Sequence, residues 1–298
     1  MQLSALQTVN RAQTVDNPTS NTANTLQQDL RNRPIGVFDS GVGGLTVAAA
    51  LRRTIPAENL LYLGDVARLP YGTKAPQTII QYVLRAADFF SRKNIKMMVL
   101  ACNTASAHAA DTLAQHYPDM LVLGVIDSGA EQAARLSIGG RIVVAATEGT
   151  CRSGAFDHAI LGRRPECRVT PVPCPLFVAL VEEGLVEGPI AEAMIRQYLA
   201  DSFSGPQAAD CLVLGCTHFP LLAPTLRKVL GEQLTLVDCA QAVAEKAATM
   251  LKDADMLAQG GEGGIRLYTT DAPKRFSTSA GQFFPALGAQ PDVELIDL

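Results

Sequence analysis

The 298-residue sequence lacks the features of several broad protein classes. No apolar run approaches the roughly 20 residues that a helix needs to cross a bilayer, which argues against a membrane protein. A net charge of −4 gives no basic patch, which argues against nucleic acid as a partner. Residues 1–33 lack the apolar core of a signal peptide and are rich in Gln, Asn and Thr, so we expect a disordered extension there. These absences indicate a cytoplasmic protein.

The seven cysteines also lack the spacings that mark a metal site or a disulfide framework. Their number is odd, no CxxC pair occurs and no zinc-like Cys/His spacing is present, which predicts reduced thiols and no metal. The glycine-rich segment 38–46 lacks the Gly-Lys-Ser/Thr of a P-loop, and Thr46 stands where GxGxxG has its third glycine. Neither nucleotide-binding motif is therefore met.

From Pro34 onward, short apolar runs alternate with helical patterns, which favours an α/β fold with parallel sheets covered by helices on both faces. Strands are predicted at 35–38, 60–63, 95–101, 121–126, 142–146, 168–172, 211–214 and 234–237. Helices are predicted at 43–55, 76–93, 104–116, 129–136, 150–161, 176–183, 189–203, 221–230 and 240–257. Ligands of such folds bind just beyond the carboxyl ends of strands, so the residues that follow each apolar run are functional candidates.

Two of the predicted strands end on a cysteine that is followed by polar residues. Cys102 precedes Asn103 and Thr104, and Cys216 precedes Thr217 and His218. A single cysteine after a strand is most often a small buried apolar residue. Two cysteines in matching contexts weaken that interpretation, and a helix N-terminus after each would stabilise a thiolate. We therefore predict that the two cysteines form two halves of one active site.

Other strand ends carry further candidates. Asp39 lies at a glycine-rich turn whose amides either hold a carboxylate or phosphate or are simply satisfied by the Asp39 side chain. Tyr71 and Gly72 follow another strand and offer a hydroxyl and an amide to a ligand, or only connect two elements. The segment 147–150 follows a fifth strand.

Two thiols without a metal or cofactor suit one reaction in particular, which is the inversion of a stereocentre. Inversion requires that a proton is removed from one face of a carbon and that another is delivered to the opposite face. Two acid/base groups of similar pKa perform both steps in either direction. One cysteine must then start as a thiolate and the other as a thiol, and their states exchange at each turnover.

The sequence closely resembles the bacterial glutamate racemases, cofactor-independent members of the aspartate/glutamate racemase superfamily. The matching segments are FDSGVGGLTV (38–47), YLGDVARLPYG (62–72), ACNTASA (101–107), ATEGT (146–150), CPLFVALVEEG (174–184), LGCTHFPLL (214–222) and YTTDAPKRF (268–276). The resemblance implies two similar α/β lobes, each a mostly parallel sheet flanked by helices, related by a pseudo-twofold axis with the active site between them. It places residues 34–126 and 238–298 in the first lobe and 127–237 in the second, and it implies a homodimer.

The resemblance also assigns roles to individual residues. Its catalytic set is Cys102 and Cys216 as the two acid/bases, His218 assisting Cys216, Asp39 beside Cys102, and Glu182 near the second half of the site. Its substrate-binding set is Asp39, Ser40, Tyr71, Gly72, Asn103, Thr104, Thr217 and His218. The implied activity is the interconversion of L-glutamate and D-glutamate without a cofactor or metal, which supplies D-glutamate for peptidoglycan. The threonine-rich turn at 147–151 is looser than in the family, which weakens any role for its threonines.

Two alternatives remain open at this stage. A racemase of another small amino acid, such as aspartate, would differ in pocket size, which the sequence shows poorly. A non-catalytic regulatory protein on the same scaffold is the second alternative, and the presence of both cysteines together with His218 argues against it. Because the two thiols have different neighbours, we also expect the two directions of racemisation to respond differently to a substitution of His218.

Overall fold

The computed structural model describes residues 28–298, and these contain two separate β-sheets whose strands all run parallel within each sheet. The first sheet has six strands in the order β10-β9-β2-β1-β3-β4. They are β1 (Ile35–Asp39), β2 (Leu60–Gly64), β3 (Met97–Leu100), β4 (Leu121–Gly124), β9 (Ile265–Thr269) and β10 (Val293–Leu295). The second sheet has four strands in the order β6-β5-β7-β8. They are β5 (Arg141–Ala146), β6 (Arg168–Pro173), β7 (Cys211–Gly215) and β8 (Thr235–Asp238).

Eleven α-helices of six residues or more flank these sheets within residues 28–298. They are α1 (Leu45–Thr54), α2 (Pro76–Arg92), α3 (Asn103–His116), α4 (Val125–Leu136), α5 (Glu148–Ser153), α6 (Ala155–Arg163), α7 (Pro175–Glu182), α8 (Pro189–Leu199), α9 (Ala223–Leu230), α10 (Cys239–Asp253) and α11 (Pro273–Phe283). Strands β1, β2, β3 and β7 are buried along their whole length, as strands covered on both faces must be. The predicted fold class, two mostly parallel α/β sheets flanked by helices, is confirmed.

The chain passes from the first sheet to the second after β4 and returns after β8. Helix α10 begins at the end of β8 and packs against α1 beside the first sheet and against α4 at the other crossing. The two sheets therefore share a helical layer. The lobe boundaries at 126/127 and 237/238 stay predictions, although the strands on either side belong to different sheets.

Two predicted elements differ from the structure in ways that glycine explains. Strand β4 ends at Gly124 and α4 begins at once, whereas the apolar pattern predicted a strand to residue 126 and a helix from 129. A Cβ on Gly124 would lie 2.2 Å from the Ser106 hydroxyl, so α3 and the end of β4 pack too closely for a side chain there. The predicted helix over 150–161 is two helices, because Gly154 adopts φ 66° in the left-handed region and breaks it.

The segment before β1 is attached to the first sheet. Residues 1–27 of the extension predicted at 1–33 lie outside the described residues. Residues 28–32 form a helical turn. The buried Lys96 ammonium donates to the Arg31 carbonyl at 2.6 Å and to the Met256 carbonyl at 2.8 Å, and it pairs with Glu58 at 2.6 Å. Among residues 28–298, no helix combines the length and apolar character needed to cross a membrane.

Candidate active site

The polar candidates collect at the carboxyl ends of four strands, two from each sheet. Asp39 is the last residue of β1, and Cys102 lies two residues beyond β3 in the first sheet. Thr147 directly follows β5, and Cys216 directly follows β7 in the second sheet. These strand pairs are neighbours in their sheets, so each sheet presents its candidates at one edge, where parallel α/β sheets bind ligands.

The two edges touch through the glycine-rich turn after β1. A Cβ on Gly43 would lie 2.5 Å from both the Thr217 hydroxyl and Nδ1 of His218, so only a glycine fits between them. The Thr217 hydroxyl donates to Oδ1 of Asp39 at 3.5 Å, across the two sheets. The turn therefore brings the two predicted halves of the site into direct contact.

In the first half, Cys102 lies beside Asp39 and caps helix α3. Its Sγ donates to the Ser40 hydroxyl at 3.5 Å, and only 7% of the residue is exposed. Asp39 is fully buried and accepts the Gly41 amide at 2.9 Å, and burial raises the pKa of its carboxyl despite the opposing charge of His218. Burial, together with the Asp39 charge, raises the pKa of the Cys102 thiol to about 12. Cys102 is therefore a thiol at neutral pH, and its position at a helix N-terminus does not overcome its burial.

In the second half, Cys216 lies beside His218. Its Sγ is 3.9 Å from Nδ1 of His218, while Nε2 of the same ring is 3.3 Å from Oε1 of Glu182. Burial disfavours the imidazolium, but contacts with Cys216 and Glu182 outweigh burial and raise the pKa of His218 to about 10. The contact with His218 in turn lowers the pKa of Glu182. At neutral pH an imidazolium therefore lies beside the Cys216 sulfur.

The helix expected after Cys216 begins later than the pattern predicted. A 3₁₀ turn at Phe219–Leu222 follows first, and α9 starts only at Ala223. Only Cys102 of the two thiols therefore caps a helix directly, and the charged neighbour of Cys216 is His218 rather than a helix N-terminus.

Three threonine hydroxyls form a triangle where α3 meets the turn after β5. The Thr104 hydroxyl is 2.9 Å from that of Thr147 and 3.0 Å from that of Thr150, and the latter two are 3.0 Å apart. Hydroxyls can rotate their donors toward an arriving carboxylate, so this triangle suits an acid group. Thr147 and Thr150 were outside the predicted binding set. Their position after a strand and the matching segment ATEGT (146–150) were the signals in the sequence.

The side-chain oxygen of Asn103 is a buried hydrogen-bond acceptor. The residue is 4% exposed, and its Oδ1 has no hydrogen-bond partner among residues 28–298. A buried amide oxygen without a donor is unfavourable, so this atom is suited to an N–H group of a ligand. Asn103 was predicted to bind substrate on the resemblance alone.

Tyr71 and Gly72 lie beside the site in different ways. The buried Tyr71 hydroxyl donates to Oδ2 of Asp65 at 2.6 Å, and Oδ1 of Asp65 accepts from Arg68 at 2.7 Å and from Thr270 at 2.8 Å. The Tyr71 hydroxyl, which was predicted to bind a ligand, therefore donates its hydrogen bond to Asp65 in the structure. A Cβ on Gly72 would lie 2.8 Å from that of Thr147, so the backbone of this turn packs against the threonine triangle.

The candidate site is built from thiols, hydroxyls and an amide. Within residues 28–298, no group of three or more His, Cys, Asp and Glu side chains is arranged to hold a metal ion. All seven cysteines are free. The site combines two thiols with different charged neighbours, a set of hydroxyl donors and one amide oxygen without a partner among these residues. These are the components of a proton-transfer site for a small acid that carries an amino group.

Comparison with known proteins agrees with this geometry. Residues 36–247 match the family of Asp/Glu/hydantoin racemases. The chain is 42% identical over 267 residues to the glutamate racemase of Chlorobaculum parvum, and the match covers 89% of this chain and 96% of that protein. It is 43% identical over 254 residues to the glutamate racemase of Geobacter metallireducens, covering 84% and 92% respectively.

Solved structures give the same result. The glutamate racemase of Francisella tularensis in complex with D-glutamate superposes with a TM-score of 0.82 at 33% identity, covering 90% of this chain and 98% of that one. The Escherichia coli glutamate racemase, in complex with L-glutamate and the activator UDP-MurNAc-Ala, gives 0.74 at 28% identity over 89% and 99%. With a matched segment of this extent and relatives of this similarity, the chain belongs to the Asp/Glu/hydantoin racemase family.

Proposed function

We propose that this protein is a cofactor-independent glutamate racemase that moves a proton at Cα between Cys102 and Cys216. The observation that carries the proposal is the pairing of two unequal thiols across one contact between the sheets. Cys216 faces the imidazolium of His218, and Cys102 is held as a thiol by burial and by Asp39. A racemase needs one base and one acid at the start of each turnover.

The proposed reaction balances one proton on each side. The Cys216 thiolate takes the Cα proton of one enantiomer, so a C–H bond breaks, an S–H bond forms and the electron pair stays on the substrate carbanion. The Cys102 thiol then delivers its proton to the opposite face and becomes the thiolate. The reverse direction begins from that second state, in which Cys102 is the thiolate and Cys216 carries the proton.

The neighbouring polar groups match an amino acid with a carboxylate side chain. Hydroxyls of Thr104, Thr147 and Thr150 can turn toward a carboxylate, and Oδ1 of Asn103 can accept from the amino group. Fixed donors close to the substrate also stabilise charge that develops in the carbanion. Glutamate is favoured over aspartate because relatives near 40% identity are glutamate racemases. The aspartate racemase of Picrophilus torridus, at 14% identity and a TM-score of 0.52, shares the fold alone.

The decisive experiment follows the circular dichroism of pure L-glutamate incubated with the purified protein and no added cofactor. We expect the signal to decay to zero and the final mixture to contain both enantiomers. The matched control is the double variant Cys102→Ser/Cys216→Ser, which keeps both side-chain sizes. The same assay on L-aspartate and other L-amino acids tests the substrate. Decay with aspartate alone would contradict glutamate as substrate, and no decay with any amino acid would support the non-catalytic alternative.

Supply of D-glutamate for peptidoglycan, a cytoplasmic location and a homodimer stay predictions. Depletion of the protein in its host, with rescue by external D-glutamate, tests the first of these. Light scattering on a size-exclusion column tests the oligomeric state.

A further inference from the structure

The His218 ring is held weakly by its polar neighbours. Nδ1 lies 3.9 Å from the Cys216 sulfur and 3.5 Å from the Thr217 hydroxyl. Nε2 is 3.3 Å from Glu182, yet it makes no hydrogen bond of acceptable geometry to any group of residues 28–298. Charge-assisted hydrogen bonds in proteins are typically about 2.7–2.9 Å long. Hydrogen bonding alone therefore does not determine the orientation of the imidazole.

Packing supplies what the hydrogen bonds do not. The Phe283 ring meets the His218 ring at 5.3 Å between centroids with an angle of 77° between their planes, an edge-to-face contact. Phe283 is 4% exposed and is the last residue of α11. The backbone of Gly43 also lies against the imidazole, since a Cβ there would be 2.5 Å from Nδ1. An aromatic ring and a glycine backbone thus enclose the imidazole.

Helix α11 is itself fixed on the first sheet. Phe276 lies two turns before Phe283, and its ring centroid is 6.0 Å from that of Tyr62. A Cβ on Gly64 would lie 2.7 Å from the Phe276 ring. The Tyr62 hydroxyl donates to the Gly41 carbonyl at 2.8 Å, inside the glycine-rich turn. The helix that carries Phe283 is therefore attached to the same turn that separates the two halves of the site.

We propose that Phe283 is a positioning residue, whose ring holds the His218 imidazole with Nδ1 toward Cys216 and Nε2 toward Glu182. Phe283 acts through His218. The kinetic part of this inference rests on the proposed racemase function, whereas its structural part does not.

Loss of the ring has a specific consequence for the charge of His218. The charged groups around the imidazole are Cys216, Asp39 and Glu182, with Arg275 acting on Glu182 from α11. If the imidazole turns away from Cys216 and Glu182, burial is left to oppose the charged form. The pKa of His218 then falls from about 10 toward its ordinary 6.5.

The test compares Phe283→Leu with Phe284→Leu. Phe284 is 5% exposed and directly follows the last residue of the same helix, and none of the ring contacts in the described part of the chain joins it to His218. Both substitutions remove the same atoms from the core, so a merely structural effect appears in both. Phe283→Tyr restores the aromatic ring and serves as the conservative rescue.

The first readout needs no substrate and is the NMR titration of the His218 imidazole, assigned by comparison with His218→Asn. We expect Phe283→Leu to lower the pKa of His218, while Phe284→Leu and Phe283→Tyr keep it near that of the unsubstituted protein. An unchanged titration in Phe283→Leu would overturn the positioning role. An equal shift in both leucine variants would do so as well, because it would indicate general loosening of the core.

The second readout is the kinetics of glutamate racemisation. We expect Phe283→Leu to lower kcat by about 10- to 100-fold with a smaller change in KM, because a misplaced acid/base group loses reaction geometry rather than binding. Phe284→Leu should change kcat far less. A shifted titration with unchanged kcat would overturn the catalytic consequence. Absence of racemisation in the unsubstituted protein would instead contradict the proposed function and leave the NMR result to decide the structural part.

Discussion

The two halves of the active site share a backbone plan and differ in their chemistry. In each half a buried strand ends and a cysteine with small polar successors follows it. Cys102 has a buried carboxylate as its neighbour, and Cys216 has an imidazole that is supported by Glu182. Burial and a carboxylate hold Cys102 as a thiol, whereas a cation lies beside Cys216. The two thiols therefore have different surroundings before the substrate arrives.

The largest expected effect comes from replacing one thiol at a time. Cys102→Ser and Cys216→Ser should each reduce racemisation on the order of 1,000-fold or more, because a hydroxyl is far too weak an acid to act in either role. Each variant keeps one working face and should still exchange the Cα proton of one enantiomer with D₂O, with retention of configuration. Proton NMR in D₂O measures this exchange.

The two single variants then compare the halves directly. Cys102→Ser keeps the Cys216–His218 pair and should exchange faster than Cys216→Ser, whose remaining thiol has a pKa near 12. The two variants should act on opposite enantiomers. Racemisation at the rate of the unsubstituted protein in both would contradict the two-thiol mechanism.

A smaller effect is expected when the helper of each thiol is replaced. His218→Asn and Asp39→Asn should each lower kcat by about 100-fold, which is within the usual contribution of one acid/base group. Two enantiomers have equal free energy, so kcat/KM must remain the same in both directions. The asymmetry must therefore appear in kcat and KM separately, and in the isotope effects of Cα-deuterated substrates.

The isotope effects should rise for opposite enantiomers in the two variants. In His218→Asn, the slow step becomes proton removal by Cys216, so the enantiomer that faces Cys216 should show the larger effect. Asp39→Asn should show the larger effect with the other enantiomer. Equal changes in both directions for both variants would indicate that the helpers do not belong to separate halves.

Asp65 holds the loop that carries Tyr71 and Gly72 beside the first half of the site. Its replacement is expected to affect the stability of the fold more than the proton transfer. Asp65→Asn removes the charge that accepts from Arg68, Tyr71 and Thr270, so we expect a loss of about 1–3 kcal/mol in the free energy of unfolding. We also expect KM to rise, because the Gly72 turn loses its anchor. Urea denaturation and steady-state kinetics measure the two effects.

The matched control for Asp65 is Asp88→Asn. Asp88 also accepts a hydrogen bond from a tyrosine hydroxyl, that of Tyr117, but it is exposed and is none of the candidate site residues. Because solvent can replace that bond, Asp88→Asn should cost little stability and leave KM unchanged. A similar loss in both variants would show that burial of Asp65 is not the reason for its effect.

A pH dependence of stability is expected for the second half. The pKa of His218 is raised in the folded protein from an ordinary 6.5 to about 10, so its contribution to stability is full below pH 6.5 and is lost as pH rises through 10. The stability difference between the unsubstituted protein and His218→Asn should shrink over this range. Urea denaturation at a series of pH values checks the sign, and a difference that grows with pH would contradict it.

Much of this organisation was accessible from the sequence because it is local. An apolar run followed by a cysteine and small polar residues marks a strand end, and two such runs pointed to Cys102 and Cys216. The contacts between the sheets were inaccessible, because they join residues that no pattern relates. The Thr104–Thr150 contact and the ring pair of His218 with Phe283 both depend on how the two sheets meet.

Local geometry also decided the elements that the patterns misplaced. The helix pattern over 150–161 continues across Gly154, but the residue takes a left-handed conformation and the chain turns there. The apolar pair that follows Gly124 continues the strand pattern, but it is buried in the first turn of α4. Periodicity identifies apolar residues correctly in both cases and does not reveal where the backbone changes direction.

Gly43 has no side chain, so substitutions at this position can be used to change the distance between the two halves of the site. A methyl group added there meets Thr217 and His218 at 2.5 Å, about 1 Å closer than an ordinary contact. Alanine, serine and valine at this position form a series of spacers of increasing thickness, none of which alters a reacting group. The racemisation rate can be compared with the size of the side chain at position 43. This comparison would measure how far a proton-transfer group can be displaced before it no longer protonates the second face of the carbanion.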